Sequence, residues 1–374
     1  MPAGAVVTRS TASTAARIDA LLRPEIRALS AYHVPPAAGL LKLDAMENPY
    51  PWPGGLEEEW LAGLRGVELN RYPLPHPAEL VQALARQAGV PPGCGLLLGN
   101  GSDELIQLID ICLARPGASV LLPTPTFSMY SLIARVAGLG VIDVPLRADF
   151  GLDLPAMRAA IERHQPALIY LACPNNPTAG LFDPAELRAL IGAAPGLVVV
   201  DEAYFPFAGR SVLPWLLEFN HLLVLRTLSK VGLAGLRLGY LIGHPDWLAQ
   251  FDKARLPYNI NTLTQLSAQF ALAHADRLAG EAARICEQRH RLSQELKALP
   301  GVTVYPSDAN FILLRLPPGQ APAAHGALQQ AGILVKNVHG GHPLLTDCLR
   351  VTVGTAAENE ALLAALRAHL TGTV

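Results

Sequence analysis

Between residues 95 and 245, short and nearly continuous apolar runs alternate with longer amphipathic stretches. The runs occupy residues 96–98, 120–122, 141–142, 168–172, 197–200, 222–225 and 238–242. Apolar runs of this length are typical of strands that are covered on both faces. Strands that alternate with helices favour a parallel arrangement. The pattern therefore predicts an α/β fold with a mainly parallel, seven-stranded sheet between helices.

The pattern changes after residue 262. It predicts a long helix over 263–299, strands at 302–305 and 310–315, a helix at 322–331, strands at 333–336 and 349–353, and a final helix at 357–370. These elements indicate a smaller α+β domain, and a chain of 374 residues suits two domains better than one. We expect an N-terminal arm over 1–45, a large domain over 46–262 and a small domain over 263–374. Part of the arm, residues 18–29, is expected to join the small domain.

Charge and composition argue against several classes of protein. The net charge is -2, with acids and bases interspersed, so we expect no nucleic-acid-binding surface. No apolar stretch reaches the ~18–20 residues of a membrane span, and residues 1–16 lack the apolar core of a secretory signal. The five cysteines form no CxxC pair, which argues against a metal site or a disulfide framework. We therefore expect a cytoplasmic protein with no metal and no membrane partner.

In open parallel sheets, ligands bind beyond the carboxyl ends of the strands. Four of the predicted strands are followed there by groups that can carry chemistry. These are a glycine turn at 99–104, an amide-rich loop at 173–178, the acid and tyrosine of 201–204, and the lysine that ends 226–230. Their convergence on one edge of the sheet predicts a site for a ligand.

The glycine turn is a candidate anion site. Gly99 and Gly101 permit backbone angles that other residues resist, and Ser102 is a good N-cap for the helix that follows. A strand, a glycine turn and a helix start together form a place where an anion binds readily. A tight turn before a capped helix, without a ligand, explains the same residues.

The acid and the amides beyond the strands each allow two interpretations. Asp201 ends an apolar strand, so it is either a counter-ion for a protonated ring nitrogen or a structural residue, namely an N-cap or an exposed strand end. Tyr204 is placed to reach an oxygen on the same ring or to pack as a half-buried aromatic. Asn176 is either a hydrogen-bond donor to a ring oxygen or part of an Asn-Pro turn.

Lys230 follows another apolar strand. A desolvated lysine becomes a nucleophile toward aldehydes, although most lysines only lie at the surface. Arg237 and the hydroxyls of Thr227 and Ser229 are placed to form the second half of a phosphate site.

Taken together, these segments resemble the fold type I aminotransferases that depend on pyridoxal 5'-phosphate (PLP), and within them the histidinol-phosphate aminotransferase family. The matching segments are 43–50, 71–73, 99–104, 125–130, 174–178, 199–204, 226–230, 233–239, 257–259 and 349–354. The resemblance implies an aspartate aminotransferase-like fold, in which the large domain binds PLP and the N-terminal arm packs on the small domain and on a partner subunit.

The resemblance also implies roles for individual residues around the cofactor. Lys230 would hold PLP covalently and later move the substrate proton, Asp201 would pair with the ring nitrogen, and Asn176 and Tyr204 would bond the ring oxygen. Phe127 would stack on the ring. The phosphate would be bound by Ser102, by the backbone N–H groups of Asp103 and Glu104, and by Thr227, Ser229 and Arg237. Tyr72 would reach the phosphate of the neighbouring subunit, which implies a homodimer.

For the substrate, the resemblance implies transfer of an amino group between L-histidinol phosphate and 2-oxoglutarate. Arg350 would clamp the substrate anions through two parallel bonds, helped by Tyr32, Asn48, Tyr258, Asn259 and Lys336. Three alternatives stay open. They are an aminotransferase for aromatic amino acids, a PLP-dependent decarboxylase of amino-acid phosphates, and a non-catalytic PLP-binding regulator. The regulator is disfavoured, because we expect no room in the chain for a DNA-binding domain.

The sequence departs from the family pattern at three places. Arg237 follows Lys230 by seven residues where the family has eight, so the loop is expected to absorb the missing residue. Ala179 stands before Gly180 where the family has glycine directly after the Pro-Asn-Asn-Pro-Thr segment. Lys336 replaces a common arginine, and a lysine offers charge but no bidentate fork.

Overall fold

Twelve strands form two sheets in the computed structural model, which describes residues 13–31 and 34–372. The strands are β1 Leu41–Leu43, β2 Gly95–Gly99, β3 Ser119–Thr124, β4 Gly140–Pro145, β5 Leu168–Ala172, β6 Leu197–Asp201, β7 Leu222–Thr227, β8 Gly239–Gly243, β9 Thr303–Val304, β10 Phe311–Arg315, β11 Ile333–Asn337 and β12 Cys348–Thr352. The α-helices are α1 Thr14–Leu21, α2 Pro24–Arg27, α3 Gly54–Leu64, α4 Ala78–Ala88, α5 Ser102–Leu113, α6 Ser128–Ala137, α7 Leu154–His164, α8 Pro184–Ala193, α9 Phe205–Ala208, α10 Pro245–Asp252, α11 Thr262–Ala273, α12 Ala275–Lys297, α13 Ala321–Gln330 and α14 Ala356–Thr371.

The larger sheet has the strand order β2-β8-β7-β6-β5-β3-β4. Strand β8 is antiparallel to both of its neighbours, and the other pairs are parallel. The prediction of a mainly parallel, seven-stranded sheet is confirmed. All residues of β5, β6, β7 and β8 are buried, which explains why their sequences are almost continuously apolar.

Helices cover this sheet on both faces, and alternate residues of each strand enter different apolar clusters. In β5, Ile169 and Leu171 pack with residues of α4, α7, α8 and α11, whereas Leu168 and Tyr170 pack with residues of α5, α6 and α10. Side chains that alternate along a strand point to opposite faces. Tyr170 is thereby directed toward α5 and α6.

The smaller sheet has the order β1-β11-β12-β10-β9, in which β1 runs parallel to β11 and the other pairs are antiparallel. The helical stretch predicted over 263–299 is helical but consists of two helices, α11 and α12. His274 separates them with φ -109° and ψ 33°, outside the helical range. Both helices bury an apolar face, so the amphipathic pattern continues through the break and does not reveal it.

Residues 1–36 and 37–374 form two compact units, and both sheets belong to the second. The described part of the first unit contains α1 and α2, neither of which has a buried residue. The predicted packing of residues 18–29 on the small domain stays a prediction. Among the helices of the described ranges, none is both long and apolar enough to cross a membrane.

Candidate active site

A cavity of about 250 Å³ lies at the edge of the larger sheet where β2, β5, β6 and β7 end. Residues from all four strand ends that the sequence pointed to line this cavity. Ten of the predicted residues line it, namely Ser102, Asp103, Phe127, Asn176, Asp201, Tyr204, Thr227, Ser229, Lys230 and Arg237. Other lining residues, including Glu47 and Tyr130, were not predicted.

The glycine turn brings a helix start to the cavity wall. Gly101, with φ 84°, occupies the cap position of α5, and Ser102 is its first helical residue. The expectation that Ser102 caps the helix is therefore wrong, because the cap conformation has the positive φ that favours glycine. The first N–H groups of a helix have no partner within it, so they are available to an anion.

Two glycines keep this turn close to its neighbours. A Cβ on Gly239 would lie 2.6 Å from the backbone N of Ser102, and one on Gly101 would lie 2.7 Å from Nη2 of Arg237. Gly239 has no room for a side chain because the close atoms belong to the backbone, whereas at Gly101 the positive φ is what favours glycine. The guanidinium of Arg237 consequently approaches the helix start from across the turn.

Arg237 stays at the cavity although its loop is one residue short. It follows a short 3-10 helix, Ala234–Leu236, and adopts a left-handed φ of 52°. Its Nη1 lies 3.4 Å from Oγ of Ser229, whose own backbone N–H donates to Oγ1 of Thr227 at 3.1 Å. A left-handed non-glycine residue costs about 1–2 kcal/mol. The guanidinium, the two hydroxyls and the helix start lie together at one end of the cavity and could hold an anion such as a phosphate.

Lys230 has a desolvated amine. Its Nζ donates to the backbone oxygen of Ala45 at 3.1 Å and lies 5.9 Å from the centre of the Tyr204 ring. Burial, followed by the positive charge of Arg350, lowers the pKa of Lys230 to about 8, against the opposing effect of Glu47. The lowered pKa gives this amine a much larger neutral fraction near neutral pH than an exposed lysine has, and the neutral amine is the nucleophilic form.

Asp201 is buried at the end of β6, with 5% of its surface exposed. Its Oδ1 accepts the backbone N–H of Ala203 at 2.9 Å, and its Oδ2 accepts the Tyr130 hydroxyl at 2.7 Å. Burial raises the pKa of Asp201 to about 6, while these hydrogen bonds oppose the rise. The carboxyl group is thus mostly ionised at pH 7 and lines a cavity, which argues against an exposed strand end.

Asn176 links the cavity to the smaller sheet. Its Oδ1 accepts from Nη1 of Arg350 at 2.6 Å, and its Nδ2 lies 3.3 Å from the Tyr204 hydroxyl. The other end of the Arg350 guanidinium, Nη2, donates to the backbone oxygen of Asp44 at 2.7 Å. Arg350 comes from β12, so this contact places a cation of the smaller sheet beside an amide in the loop that follows β5 of the larger sheet.

Asn175 holds the neighbouring loops in place and was not predicted. It is fully buried, accepts from Oγ1 of Thr126 at 2.8 Å and donates to the backbone oxygen of Pro125 at 2.9 Å. These bonds tie the Asn176 loop to the loop that carries Phe127. Ala179 ends the first loop with φ 67°, a left-handed conformation that favours glycine.

The remaining predicted residues lie outside the cavity lining. The Glu104 side chain does not line the cavity, and its Oε2 accepts a hydrogen bond from Nδ2 of Asn259 at 2.7 Å. Tyr72, 81% exposed, stacks on Tyr258 with ring centroids 4.6 Å apart. The Asn48 amide donates to Oε2 of Glu281 at 2.9 Å.

Two of the residues predicted to bind the substrate remain, Lys336 and Tyr32. Lys336 lies in β11, half-buried and opposite Arg350. Tyr32 falls outside the described residues.

Residues that the sequence did not single out were nonetheless within the segments that carried the resemblance. Tyr130 follows Phe127 by three residues, one helical turn, and its ring packs edge-on against Phe127 at 5.4 Å. Glu47 lines the cavity and accepts from Nζ of Lys42 at 2.7 Å. A one-turn spacing from a predicted stacking residue is the signal that points to Tyr130.

Comparison with known proteins agrees with this geometry. Residues 40–366 match the family model of the class I and II aminotransferases. The chain is 55% identical to histidinol-phosphate aminotransferase 2 of Nitrosococcus oceani, over 94% of this chain and 98% of that protein. It is 53% identical to histidinol-phosphate aminotransferase 1 of Burkholderia lata, with the same shares covered.

A solved structure is also similar. Histidinol-phosphate aminotransferase from Sinorhizobium meliloti, in complex with pyridoxal-5'-phosphate, matches with a TM-score of 0.83 and 27% identity, covering 95% of this chain and 98% of that one. The cavity unites a lysine with a desolvated amine, a buried carboxylate and a glycine turn at a helix start on a matching fold. This chain belongs to the class I and II aminotransferases, within the histidinol-phosphate aminotransferase family.

Proposed function

We propose that the chain uses PLP to transfer an amino group between L-histidinol phosphate and 2-oxoglutarate, giving imidazole acetol phosphate and L-glutamate in histidine biosynthesis. One observation carries the proposal. The amine of Lys230, the carboxylate of Asp201 and the phosphate-binding turn line a single cavity. The names of relatives more than 50% identical over 94% of the chain support the choice of substrate.

The donor set fits PLP at each of its ends. The start of α5, Arg237 and the Ser229 hydroxyl suit the phosphate, because they combine a guanidinium with N–H and O–H donors. Asp201 suits the ring nitrogen, since it is buried, ionised and held on both oxygens. When bound, PLP supplies a ring that accepts the electrons released at the substrate carbon.

Each side chain around the cavity would have a separate role in the reaction. Lys230 would hold PLP covalently through its neutral amine, and the same amine, when free, would move a proton at the substrate carbon. Asp201 keeps the ring nitrogen protonated. Asn176 and Tyr204, which contact each other at 3.3 Å, hold the ring oxygen, and Phe127 packs on the ring face.

Arg350 binds the substrate anion. Its guanidinium is already oriented by Asn176 and by the backbone oxygen of Asp44, so little rotational freedom is lost on binding. Histidinol phosphate has a phosphate where glutamate has a carboxylate. Arg350 therefore serves both anions in turn, with Lys336 as a second positive charge.

We further propose that the active unit is a homodimer located in the cytoplasm. Tyr72 is 81% exposed and does not line the cavity of its own chain, which is expected if it serves the phosphate of a partner subunit. The five cysteines are free thiols, which fits a reducing compartment. Sedimentation that found a fully active monomer would refute the dimer.

A substrate panel tests the function. The purified enzyme with PLP is given 2-oxoglutarate and, in turn, histidinol phosphate, phenylalanine, tyrosine or aspartate, and glutamate formation is measured. Histidinol phosphate should give the highest kcat/KM, and Lys230→Ala should abolish turnover. A strong preference for phenylalanine would identify an aromatic aminotransferase instead. Release of carbon dioxide from an amino-acid phosphate without glutamate formation would identify a decarboxylase.

A further inference from the structure

Asp110 is a buried carboxylate that the proposed reaction does not use. It lies in α5 with none of its surface exposed, among the side chains of Ile106 and Ile109. Its Oδ1 accepts the Tyr170 hydroxyl at 2.8 Å, whereas its Oδ2 has no hydrogen-bond partner among the described residues. A buried polar atom without a partner is unfavourable, and an apolar residue here would avoid it. The hydrogen bond accepted from Tyr170 is thus what an acid provides at this position and an apolar residue would not.

Tyr170 connects Asp110 to the active site. Its ring stacks on the ring of Tyr130, with centroids 4.6 Å apart and planes within 4° of parallel, and both rings are fully buried. The Tyr130 hydroxyl in turn donates to Oδ2 of Asp201 at 2.7 Å. A continuous buried path therefore runs from α5 through β5 and α6 to the end of β6.

We infer that Asp110 and Tyr170 are positioning residues that hold the Tyr130 hydroxyl on Asp201. The hydrogen bond from Tyr170 to Asp110 fixes the Tyr170 ring, and the parallel stack limits how the Tyr130 ring can shift. Without Asp110, the Tyr170 hydroxyl keeps only the longer hydrogen bond to the backbone oxygen of Ile106, at 3.3 Å. Asp201 would then be left with the Ala203 N–H and a less firmly placed Tyr130.

The charge of Asp110 is not what the inference requires. Burial raises the pKa of Asp110 to about 7, so the group is partly neutral at physiological pH. An asparagine can accept the same hydrogen bond through its side-chain oxygen. Asp110→Asn should therefore restore what Asp110→Ala removes, and it serves as the conservative variant.

The test uses the PLP-loaded enzyme and four variants, Asp110→Ala, Asp110→Asn, Tyr170→Phe and the control Tyr240→Phe. Tyr240 is a buried tyrosine in β8 whose hydroxyl bonds Arg226, away from this path. Three quantities are measured. They are the pH midpoint of the visible absorption band of bound PLP, the rate of the single-turnover reaction with saturating glutamate, and the glutamate KM.

Asp110→Ala and Tyr170→Phe should slow the single-turnover reaction about three- to ten-fold, the effect of one net hydrogen bond. They should also shift the midpoint of the absorption band, with a nearly unchanged KM. Asp110→Asn and Tyr240→Phe should behave like the unmodified enzyme in all three measurements. The double variant Asp110→Ala with Tyr170→Phe should be no slower than either single variant, because each substitution removes the same hydrogen bond between Tyr170 and Asp110.

Unchanged band and rate in both Asp110→Ala and Tyr170→Phe would overturn the inference, even if the variants unfold at a lower temperature. If Asp110→Ala does not fold, Tyr170→Phe decides alone, because it removes a single oxygen. The inference rests on the proposed role of Asp201, so Asp201→Asn is measured in parallel. If Asp201→Asn also leaves the band and rate unchanged, the proposed function of Asp201 has failed; if only the Asp110 and Tyr170 variants do so, the positioning role alone has failed.

Discussion

Lys336 and Arg350 lie directly opposite each other on the antiparallel strands β11 and β12. Side chains of directly opposite residues share one face of a sheet, and like charges there are destabilising. Arg350 reaches Asn176 at the cavity from this face. The pairing therefore places a second cation beside the residue that we expect to bind the substrate anion, as a dianionic phosphate requires.

Lys336→Ala should weaken binding of histidinol phosphate much more than binding of glutamate. A charge-assisted hydrogen bond contributes ~1.5–3 kcal/mol, or roughly ten- to a hundred-fold in affinity. The KM of each substrate measures the effect, and Lys297→Ala, at the end of α12, is a control for the loss of a lysine elsewhere. Equal losses on both substrates would make Lys336 a structural residue.

Arg350→Lys should impair both half-reactions. A lysine keeps the charge but cannot bond Asn176, the backbone of Asp44 and a substrate anion in one plane. We expect kcat/KM to fall at least about ten-fold for glutamate and for histidinol phosphate, the loss of one charge-assisted bond. Steady-state kinetics with each substrate measures it. Retention of wild-type kcat/KM with both substrates would remove Arg350 from the anion site.

Attachment of PLP to the cofactor-free enzyme should become faster as pH rises, with a midpoint near 8. The reacting form of Lys230 is the neutral amine, and burial lowers its pKa to about 8. Below this pH the amine is protonated and attachment slows; above it, the rate levels off. Stopped-flow absorbance from pH 6 to 10 measures the midpoint, and a rate that still rises steeply at pH 10 would contradict the lowered pKa.

Borohydride reduction and peptide mapping should find the cofactor on Lys230.

Asp201→Ala should retain some PLP but lose most turnover. Removing one partner of a buried charged pair typically costs ~3–5 kcal/mol, which corresponds to roughly two to four orders of magnitude in rate. Turnover and PLP content are measured on the same preparation. Near wild-type turnover at full PLP content would contradict the assignment of Asp201 to the ring nitrogen.

Arg226→Met should destabilise the fold. Arg226 and Glu202 are 3% and 2% exposed, and Nη2 of Arg226 lies 2.8 Å from Oε2 of Glu202. Breaking a buried pair leaves an uncompensated charge and costs about 3–5 kcal/mol. Denaturant unfolding measures the loss, with Arg291→Met as the control. That residue pairs with Glu287 at the surface, so its removal should cost less than about 1 kcal/mol.

Much of the site could be predicted because strand ends are visible in the sequence. The buried strands β6 and β7 are nearly all apolar, so the polar residues that end or follow them, Asp201 and Lys230, mark the edge where a ligand binds. The contacts of Glu104 with Asn259 and of Asn48 with Glu281 were not predictable. Each joins residues more than a hundred positions apart, and no local pattern records which distant side chain will lie opposite.

The sequence by itself determined the strands of the larger sheet and the residues at the strand ends, because burial on both faces and strand-end chemistry leave local signals. The cofactor class came from the resemblance of these segments to a known family. The tertiary structure decided the strand order, the pairing of β1 with β11 and the break at His274. It alone brought Arg350 to Asn176 and Tyr130 to Asp201. These contacts depend on where the fold places α6 and β12 relative to the ends of β5 and β6, and packing selects among side-chain partners that the local sequence leaves equally possible.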